Sequence, residues 1–571
     1  MPNIQNILEV GKRALVSQQE AINVTGHNIA NVNTPGFSRQ RPVFVPTPSL
    51  DSPAGQVGTG VKTAMIERVF DRFVAAQISA QIQVKGKAEA KKDTLDQVDS
   101  ILNEASGPGL NQALSDFWNA WRDVTTDPFG PAERSALVAK TTILTQTFRD
   151  LDSRLATLQT DLNTLISSKI QKVNLLAEQI AGLNLTIKQQ EVGGQPANDL
   201  RDQQRVLVDE LADLLPVQIF EQPDGQVIMQ VAGHPLVDGL STLQLTTSLV
   251  SGSLRVQWLD RAGTPADITD QLSQSKMGGW IAARDTLLAD YRGRLNTLAA
   301  GLIEAVNRVH SNGIGLTPFS SLTSTYPVSS TSAALSSTTA ALPFGGDIVD
   351  GSFKVFAYDK SGAVIGSGTV AITKATTSLA DVQTALSAIP GITASIDTTQ
   401  GTLTISGVGS NTFAFAADTS NVLMALGLNT LFTGKEARDI AVNPVVGQSP
   451  DRLATAKVEA SGVFAKGDNR SALAVTALQR TSLPLGGTTS TLDDFYGALV
   501  GQVGIDGQRA ERELMQQQSL VEQLTNRRDT ISGVSLDEEM TNLIKFQHAY
   551  GAAAKLVSLV DEMLRTVIGM V

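Results

Sequence analysis

The C-terminal segment carries an uninterrupted apolar stripe, which restricts the possible fold more than any other feature of the sequence. The stripe residues recur at spacings of three and four: Leu543, Phe546, Tyr550, Ala553, Val557, Val560, Leu564, Val567 and Val571. This spacing places them on one side of a helix, which is typical of a coiled coil. Ser535 and Glu538 form a capping-box pattern upstream. We therefore predict one long helix from about Leu536 to the end of the sequence.

The N-terminal segment carries a weaker stripe of the same kind. Leu8, Leu15, Ile22 and Ile29 recur every seven residues, as one position of a heptad does. The alternate position is held partly by small or polar residues: Ile4, Gly11, Gln18, Thr25 and Val32. Such a helix is weak alone and suits close packing against a neighbour. We predict that the two terminal helices pair, and that they are ordered only in an assembly because a free monomer exposes both stripes.

The segment ANVNTPGFSRQ, residues 30–40, interrupts the first helical pattern. Pro35 disfavours the helical region for Thr34, and Gly36 can adopt a positive φ. Asparagine amides can cap carbonyl groups at a helix end, and Phe37 can anchor the turn on apolar surface. We predict a bend and spacer formed by Asn31, Asn33, Thr34, Pro35, Gly36 and Phe37. An extended, strand-free path through FSRQRPVFVPTP is expected to follow.

Helical and β patterns alternate in the middle of the chain. A heptad stripe over residues 144–165 shifts phase and resumes over 173–187, which predicts one long helix with a local unwinding. After VGGQPAND, Asn198 or Asp199 can cap a second, antiparallel helix. Alternating runs after residue 217 predict a small β unit, a Ser/Thr-rich stretch predicts a linker, and later strands around one short helix predict an α+β module.

The predicted fold class is multidomain, with a coiled-coil core of paired N- and C-terminal helices, a helix-rich middle domain, and β-rich or α+β inserted domains. The predicted segments are an axial helix with bend and following helix (1–105), a helix-rich domain with the long helix pair (106–215), a small β unit (216–278), a return helix (279–316), a Ser/Thr-rich linker (317–342), an α+β insertion module (343–433), a return segment of the middle domain (434–500) and C-terminal axial helices (501–571).

Composition excludes several functions. Of 571 residues, 42% are hydrophobic and 18% charged, and no apolar run is long enough for a bilayer span, so we expect no membrane insertion. A net charge of −11 without a basic patch argues against nucleic acid as a partner. Cysteine is absent, and His27, His234, His310 and His548 lack metal-ligand spacing. We expect no cofactor, no metal ion and no enzymatic activity.

The segment NIANVNTPGFSRQ, followed by GTGVKTAMIERVFDRFVAAQI, resembles the N-terminal signature of bacterial flagellar rod, hook and hook-associated proteins. SGVSLDEEMTNLIKFQHAYGAAAKLVSLVDEMLRTVIGMV is similar to the C-terminal signature of the same axial family. Within that family, GGQPANDLRDQQRVLVDELADL, GGWIAARDTLLADYRGRLNTLAAGLIEAVNRVHSNG and LFTGKEARDIAVN resemble hook-associated protein 1. Residues 353–431 look only like an insertion module of flagellins and other hook-associated proteins.

The resemblance implies a structural subunit of the extracellular flagellum, exported unfolded by the type III apparatus without a cleaved signal peptide. It implies a tubular ring of about eleven subunits at the hook-filament junction, with the paired terminal helices lining the export channel. The implied partners are hook protein below the ring, hook-associated protein 3 above it, and a cytoplasmic export chaperone on the C-terminal helix.

The position of the stripes at both ends of the sequence favours an assembly interface over an intramolecular core. The predicted interface residues are Leu8, Leu15, Ile22, Ile29, Leu543, Phe546, Tyr550, Val557, Val560, Leu564 and Val567. The register between the two helices stays open. Two other functions also stay open: a hook or distal-rod protein of the same family, which would lack the long helix pair, and a secreted coiled-coil adhesin.

Overall fold

The computed structural model describes residues 2–52, 55–102, 109–250 and 252–569. Val571 of the predicted stripe and the predicted boundary at residues 105 and 106 lie outside the described residues. The chain forms two compact units. We call Met1–Leu95, Thr160–Asp285 and Gly507–Val571 the terminal unit, and Asp96–Gln159 and Thr286–Asp506 the middle unit.

The helices are α1 (Pro2–Ala30), α2 (Arg72–Leu102), α3 (Leu110–Thr126), α4 (Pro131–Glu191), α5 (Asn198–Leu214), α6 (Lys276–Ala282), α7 (Leu288–His310), α8 (Leu379–Ser387), α9 (Val422–Leu426), α10 (Pro444–Gln448), α11 (Arg470–Ala477), α12 (Leu492–Ser532) and α13 (Leu536–Ile568). A π-helical turn, Ala283–Leu287, connects α6 to α7. The multidomain fold with long terminal helices and small sheets agrees with the predicted fold class at that level.

The strands are β1 (Gln40–Pro46), β2 (Leu50–Ser52), β3 (Gly55–Val57), β4 (Val61–Arg68), β5 (Val217–Glu221), β6 (Val227–Val231), β7 (His234–Asp238), β8 (Ser241–Thr242), β9 (Leu245–Val250), β10 (Ser253–Leu259), β11 (Pro265–Asp267), β12 (Ser321–Thr323), β13 (Gly351–Tyr358), β14 (Val364–Ile372), β15 (Ile392–Asp397), β16 (Thr402–Gly407), β17 (Thr412–Ala416), β18 (Phe432–Thr433), β19 (Ala441–Val442), β20 (Leu483–Leu485) and β21 (Thr488–Ser490). The larger sheets have the orders β5-β6-β7-β8, β11-β10-β9, β12-β16-β15 and β14-β13-β17.

The long helix α4 is continuous over 61 residues, so the predicted local unwinding is not observed. The helix accommodates the phase shift of the heptad stripe because different residues from those predicted are buried around residue 165. Leu158 and Leu162 are buried as predicted, but Ile166 and Ile170 follow them into the core, whereas Leu165 is only half-buried. Four-residue steps followed by a three-residue step rotate the buried stripe around a regular helix.

The path after the bend is not strand-free, and that prediction is wrong. β1 pairs antiparallel with β4 from Gln40 opposite Arg68 to Pro46 opposite Val61, with a bulge after Val43. Proline lacks the N–H donor of an interior strand, but it is tolerated where one side of a strand is left unpaired. The sheet contains β1 and β4 alone, so the prolines cost little there.

The Ser/Thr-rich segment predicted as a linker is packed into the middle unit, so the linker prediction is also wrong. Its large apolar side chains Leu322, Tyr326, Val328 and Leu335 are buried, and so is Ala340. β12 pairs with β16, and Ser324 and Val328 donate backbone N–H bonds of 2.8 Å to Leu403 and Gly401. An apolar residue every few positions is enough to bury the segment when hydroxyl and backbone groups find partners.

The core of the middle unit contains the fully buried side chain of His310. Its Nδ1–H donates to the Asn429 carbonyl at 2.8 Å, and its Nε2 accepts from the Ala454 N–H at 3.0 Å. These two bonds require the neutral ring. Burial, aided by the nearby Arg134 charge, lowers the pKa of His310 to about 4. The histidine is thus a structural group that cannot take up a proton without loss of a hydrogen bond.

We expect the middle unit to lose about 3 kcal/mol of unfolding free energy as the pH falls from about 6.5 to about 4. Below its ordinary pKa of 6.5 the unfolded chain binds a proton at His310, whereas the folded state resists protonation down to about 4. The full stability is therefore present above pH 6.5, the pKa of this histidine in the unfolded chain. It is lost as the pH falls towards about 4, the pKa of His310 in the folded state. Urea unfolding of the wild type and of His310→Gln over this range measures the difference. Equal pH slopes in the two proteins would contradict the assignment.

Candidate assembly interface

The two terminal helices α1 and α13 pack against each other in the terminal unit, and they run antiparallel. Near the start of α1, a Cβ built on Gly11 would lie 2.8 Å from Val557 Cγ2. Near the end of α1, Asn28 Nδ2 donates to Glu539 Oε2 at 3.0 Å. The absence of a side chain at Gly11 lets the two helices approach closely at that end. The register that the sequence left open is thus set by the Gly11–Val557 and Asn28–Glu539 pairs.

The predicted stripe of α13 faces this contact. Val560 is 1% exposed, and its neighbours in the stripe are half-buried: Leu543, Phe546, Val557, Leu564 and Val567. Tyr550 lies at the margin, with 38% of its surface exposed. The ring of Phe546 also meets that of Phe44 on β1, with centroids 6.4 Å apart. Much of the stripe is therefore covered by α1 and β1 of the same chain, so a single chain exposes less of it than the sequence argument assumed.

On α1 the predicted positions Leu8, Leu15, Ile22 and Ile29 are half-buried. The most buried positions are smaller or polar: Gly11, Ser17, Ala21, Val24, Thr25 and Asn28. The reason is that α1 packs on two sides, against α13 and against the β1–β4 sheet. Small side chains permit both contacts at short distance. Whether the termini become disordered in a free monomer stays a prediction.

Asn28 is the residue at this interface that the sequence argument missed. Its amide donates to the Gln40 carbonyl at 2.8 Å and to Glu539, and its Oδ1 accepts from the Gln40 N–H at 3.0 Å. Asn28 and Glu539 are 1% and 3% exposed. A buried carboxylate needs such a donor. The sequence signal that could have revealed this contact is that Asn28 and Glu539 each lie next to an apolar stripe of a terminal helix.

The bend closes as a hydrogen-bonded turn directly after α1. The Asn31 amide donates to the His27 carbonyl at 3.0 Å, so this asparagine caps the helix end as predicted. The Thr34 hydroxyl donates to Asn31 Oδ1 at 3.0 Å, and the Phe37 N–H donates to the Thr34 carbonyl at 3.2 Å. Asn33 is exposed, and its side chain bonds to no described part of the chain, so its predicted capping role is not seen.

Phe37 and Pro35 border an apolar cavity of about 730 Å³ beside the turn. The Phe37 ring meets His27 edge-on, with centroids 5.4 Å apart. Across the cavity lie Leu183 and Val206. Phe37 thus faces apolar side chains of α4 and α5 across the cavity, and its predicted anchoring role stays a prediction.

The segment after the turn is fixed to α5 by buried polar contacts. Asp202 accepts from the Ser38 N–H at 2.8 Å, from the Ser38 hydroxyl at 2.9 Å and from Arg68 Nη1 at 3.0 Å. Burial raises the pKa of Asp202, and the bonds from Ser38 and Arg68 oppose that rise. Gln40 Nε2 donates to Asp199 at 2.7 Å. The bend is thereby oriented by two carboxylates from a helix distant in sequence.

The end of α12 and the start of α13 are fixed to the same segment. The Arg39 N–H donates to the Ser532 carbonyl at 2.8 Å, and its guanidinium pairs with Glu538. Ser535 caps the helix by accepting from the Glu538 N–H at 3.4 Å. α13 begins at Leu536 as predicted. The predicted capping box is half-formed, because the Glu538 carboxylate turns to Arg39.

Comparison with known proteins agrees with this arrangement. Residues 95–319 match the flagellar hook-associated protein FlgK helical domain, residues 8–37 match the flagella basal body rod protein family, and residues 529–570 match the flagellar basal body rod FlgEFG protein C-terminal family. Flagellar hook-associated protein 1 of Bacillus subtilis is 26% identical, with 98% of this chain and 97% of the relative covered. The Escherichia coli protein of the same name is 27% identical, over 99% of this chain and 100% of the relative.

The chain belongs to the flagellar hook-associated protein 1 family. The solved structure of the flagellar hook junction protein FlgK from Burkholderia pseudomallei has a similar fold, with a TM-score of 0.54, 15% identity, and coverage of 80% of this chain and 100% of that one. The match over residues 95–319 favours this family over the hook or distal-rod alternative.

As a hook-associated protein 1 family member, the chain is a structural axial protein of the bacterial flagellum. Its relatives are structural flagellar proteins, and none of the matching family models describes a catalytic domain. In the part of the chain that the structure describes, no cluster of three acidic or histidine side chains could hold a metal ion. No described helix combines the length and hydropathy needed to cross a bilayer.

The bend of this family member depends on Gly36, and we expect Gly36→Ala to destabilise the terminal unit by about 1–3 kcal/mol. Gly36 has a φ of +79°, and an added Cβ would lie 2.4 Å from Val206 Cγ2. Gly26→Ala is the matched control, since Gly26 lies in α1 with no atom within 4 Å of its Cβ position. That change should be neutral or stabilising by up to about 1 kcal/mol. Denaturant unfolding measures both, and equal effects would contradict a strained turn.

Proposed function

We propose that copies of this chain assemble as a tubular ring of about eleven subunits at the hook-filament junction, with the α1–α13 pairs as a coiled-coil wall around the export channel. The supporting observation is a second apolar surface on α13. Its large apolar side chains are each at least 44% exposed: Leu536, Met540, Ile544, Leu559 and Met563.

The second surface lies away from the α1 contact. Met540 and Val560 are separated by about 200° around a regular helix, counting about 100° for each residue. Val560 is buried against the chain and Met540 is half exposed. Several large apolar side chains exposed on one helix indicate an interaction surface more often than single ones do. In the proposed ring, the predicted interface residues of α13 pack against α1 of the same chain. The second surface of α13 packs against a neighbouring copy.

The proposed neighbours follow the family resemblance. Hook protein lies below the ring, hook-associated protein 3 lies above it, and a cytoplasmic chaperone covers the apolar surface of α13 before type III export. The rod-type matches at residues 8–37 and 529–570 support contact with other axial proteins through the terminal helices. The flagellar location is outside the cell.

We expect Val557→Pro to abolish incorporation into the ring while the middle unit stays folded. Proline in a helix interior removes a hydrogen bond and costs about 3 kcal/mol or more, and Val557 lies at the close contact with Gly11. Val557→Ala is the matched control, because it keeps the helix and removes only two methyl groups. Purified proteins are added to isolated hooks, and capped hooks are counted by electron microscopy.

Two results of this experiment would reject the proposal. Normal capping by Val557→Pro would show that α13 is not the assembly element. Discrete soluble trimers of the wild type, formed without hooks, would instead support the secreted-adhesin alternative.

A further inference from the structure

The cavity of about 730 Å³ beside the turn has the size of a site for a small organic molecule. We call it the bend cavity. Its wall is mostly apolar, with side chains from the bend, α4 and α5: Pro35, Phe37, Leu183, Val206 and Leu207. Such a site holds a ligand through apolar contact and orients it through a few polar groups. The polar groups of this wall therefore indicate the class of ligand.

The charged groups in this wall are carboxylates. Asp199 and Asp202 line the bend cavity, and no lysine or arginine is among its described lining residues. Asp202 is buried and pairs with Arg68 at 3.0 Å. The side chain of Asp199 is 56% exposed, so its carboxylate can be reached from solvent. Asp199 is thus the charged group that a ligand in the cavity can meet.

The Asp199 carboxylate is held by neutral groups. Gln40 Nε2 donates to its Oδ1 at 2.7 Å, and His27 Nε2 lies 3.3 Å from the same oxygen. The Asn31 amide nitrogen lies 3.3 Å from His27 Nδ1. With that amide as donor to Nδ1, the neutral ring carries its proton on Nε2 and donates it to Asp199. In the described chain, no lysine or arginine forms a salt bridge with Asp199.

Two other large cavities differ in charge. The cavity of about 580 Å³ beside β5 is lined by Arg72 and Arg205, and that of about 660 Å³ in the middle unit is lined by Lys360 and Lys466. Each of these walls also holds one carboxylate, which the cations of the same wall can neutralise. The described wall of the bend cavity holds no such cation, so its charge is complementary to a positively charged ligand.

We propose that the bend cavity binds a small organic ammonium ion with an apolar body. The ammonium group pairs with the Asp199 carboxylate through charge-assisted hydrogen bonds. The apolar body packs between Phe37 and the side chains of α4 and α5 that face it. A ligand held in this way contacts the bend and both helices at once, and it stabilises the folded terminal unit by mass action. The site lies within one chain and is independent of the proposed ring.

The test uses dansylcadaverine, an aromatic dye joined by a pentyl chain to a primary ammonium group. Its N-acetylated form has the same apolar body without the charge. Dye fluorescence during titration with the full-length protein gives both dissociation constants at about pH 8, where histidine side chains are ordinarily uncharged. We expect the charged probe to bind about 2- to 5-fold more tightly, as for a solvent-accessible ion pair. Asp199→Asn should make the two constants equal, because asparagine removes the charge and still accepts from Gln40.

Gly182→Leu tests the location of the site. Gly182 lies in the cavity wall on α4, and no atom lies within 4 Å of its Cβ position, so leucine fills the cavity without a clash. Binding of both probes should fall at least about tenfold. Gly293→Leu on α7 is the matched control, since its Cβ position is equally open and each glycine carbonyl accepts a bond from the threonine four residues later. Both variants should fold, because leucine favours a helix more than glycine does.

Three results would overturn the inference. Equal affinities of the wild type for the two probes would exclude a role for the Asp199 charge. A preference for the charged probe that persists in Asp199→Asn would assign the preference to another group. Unchanged binding by Gly182→Leu, or an equal loss in Gly293→Leu, would show that the dye binds elsewhere.

Discussion

Arg134→Met is expected to destabilise the middle unit by about 3–5 kcal/mol. Arg134 is fully buried at the start of α4. Its guanidinium donates to the Pro128 carbonyl at 2.7 Å, the Leu453 carbonyl at 2.9 Å and the Thr455 hydroxyl at 2.7 Å. Burial lowers the pKa of Arg134 to about 10, so it stays charged at neutral pH. Methionine would fill the volume and leave these acceptors without a donor.

The measurement is urea unfolding followed by fluorescence of Trp118 and Trp121, which are buried in the middle unit, in a background where Trp258 and Trp280 are replaced by Phe. Arg438→Met is the matched control, since Arg438 is 63% exposed in the same unit. Its effect should stay within about 0.5 kcal/mol. If both variants lost equal stability, the buried bonds of Arg134 would not be the cause.

Asn28→Leu is expected to destabilise the terminal unit by about 3–5 kcal/mol, because it removes three hydrogen bonds of one buried amide and leaves the Glu539 carboxylate without that donor. The charge is the larger part of the cost. Adding Glu539→Gln should therefore recover part of the loss, since a neutral amide is cheaper to bury than a carboxylate.

Hydrogen exchange of α13 amides provides the readout for this pair, and loss of protection should spread from the Glu539 end. Asn23→Leu on the exposed side of α1 is the matched control and should change little. A double variant less stable than Asn28→Leu would disprove the role of the buried charge.

The sequence was informative where the relevant physics is local. The start of α13 at Leu536, the positive φ of Gly36 and the cap by Asn31 each depend on residues within a few positions. Turn and cap geometry is set by such neighbours.

Predictions failed where a distant element decides the outcome. Asn198 or Asp199 was predicted to cap α5, yet the N-cap residue is Ala197 without a side-chain cap bond, and the Asn198 amide donates to the Ile66 carbonyl of β4 at 2.8 Å. The prolines of β1 suggested an extended path without a strand, but pairing with β4 outweighs them. Asp202 holds the bend from a helix that no local pattern connects to it. Such contacts depend on tertiary structure, which overrides local preference.

The pairing of α1 with α13 also determines the order in which the chain can fold. Helix α1 has its packing partner at the opposite end of the polypeptide, so the terminal unit cannot close until nearly the entire chain is available. The middle unit, whose segments lie inside the sequence, can form first. Contacts this remote in sequence form slowly. Until α13 is available, α1 has no packing partner, and its face of small residues is open to contact with other surfaces.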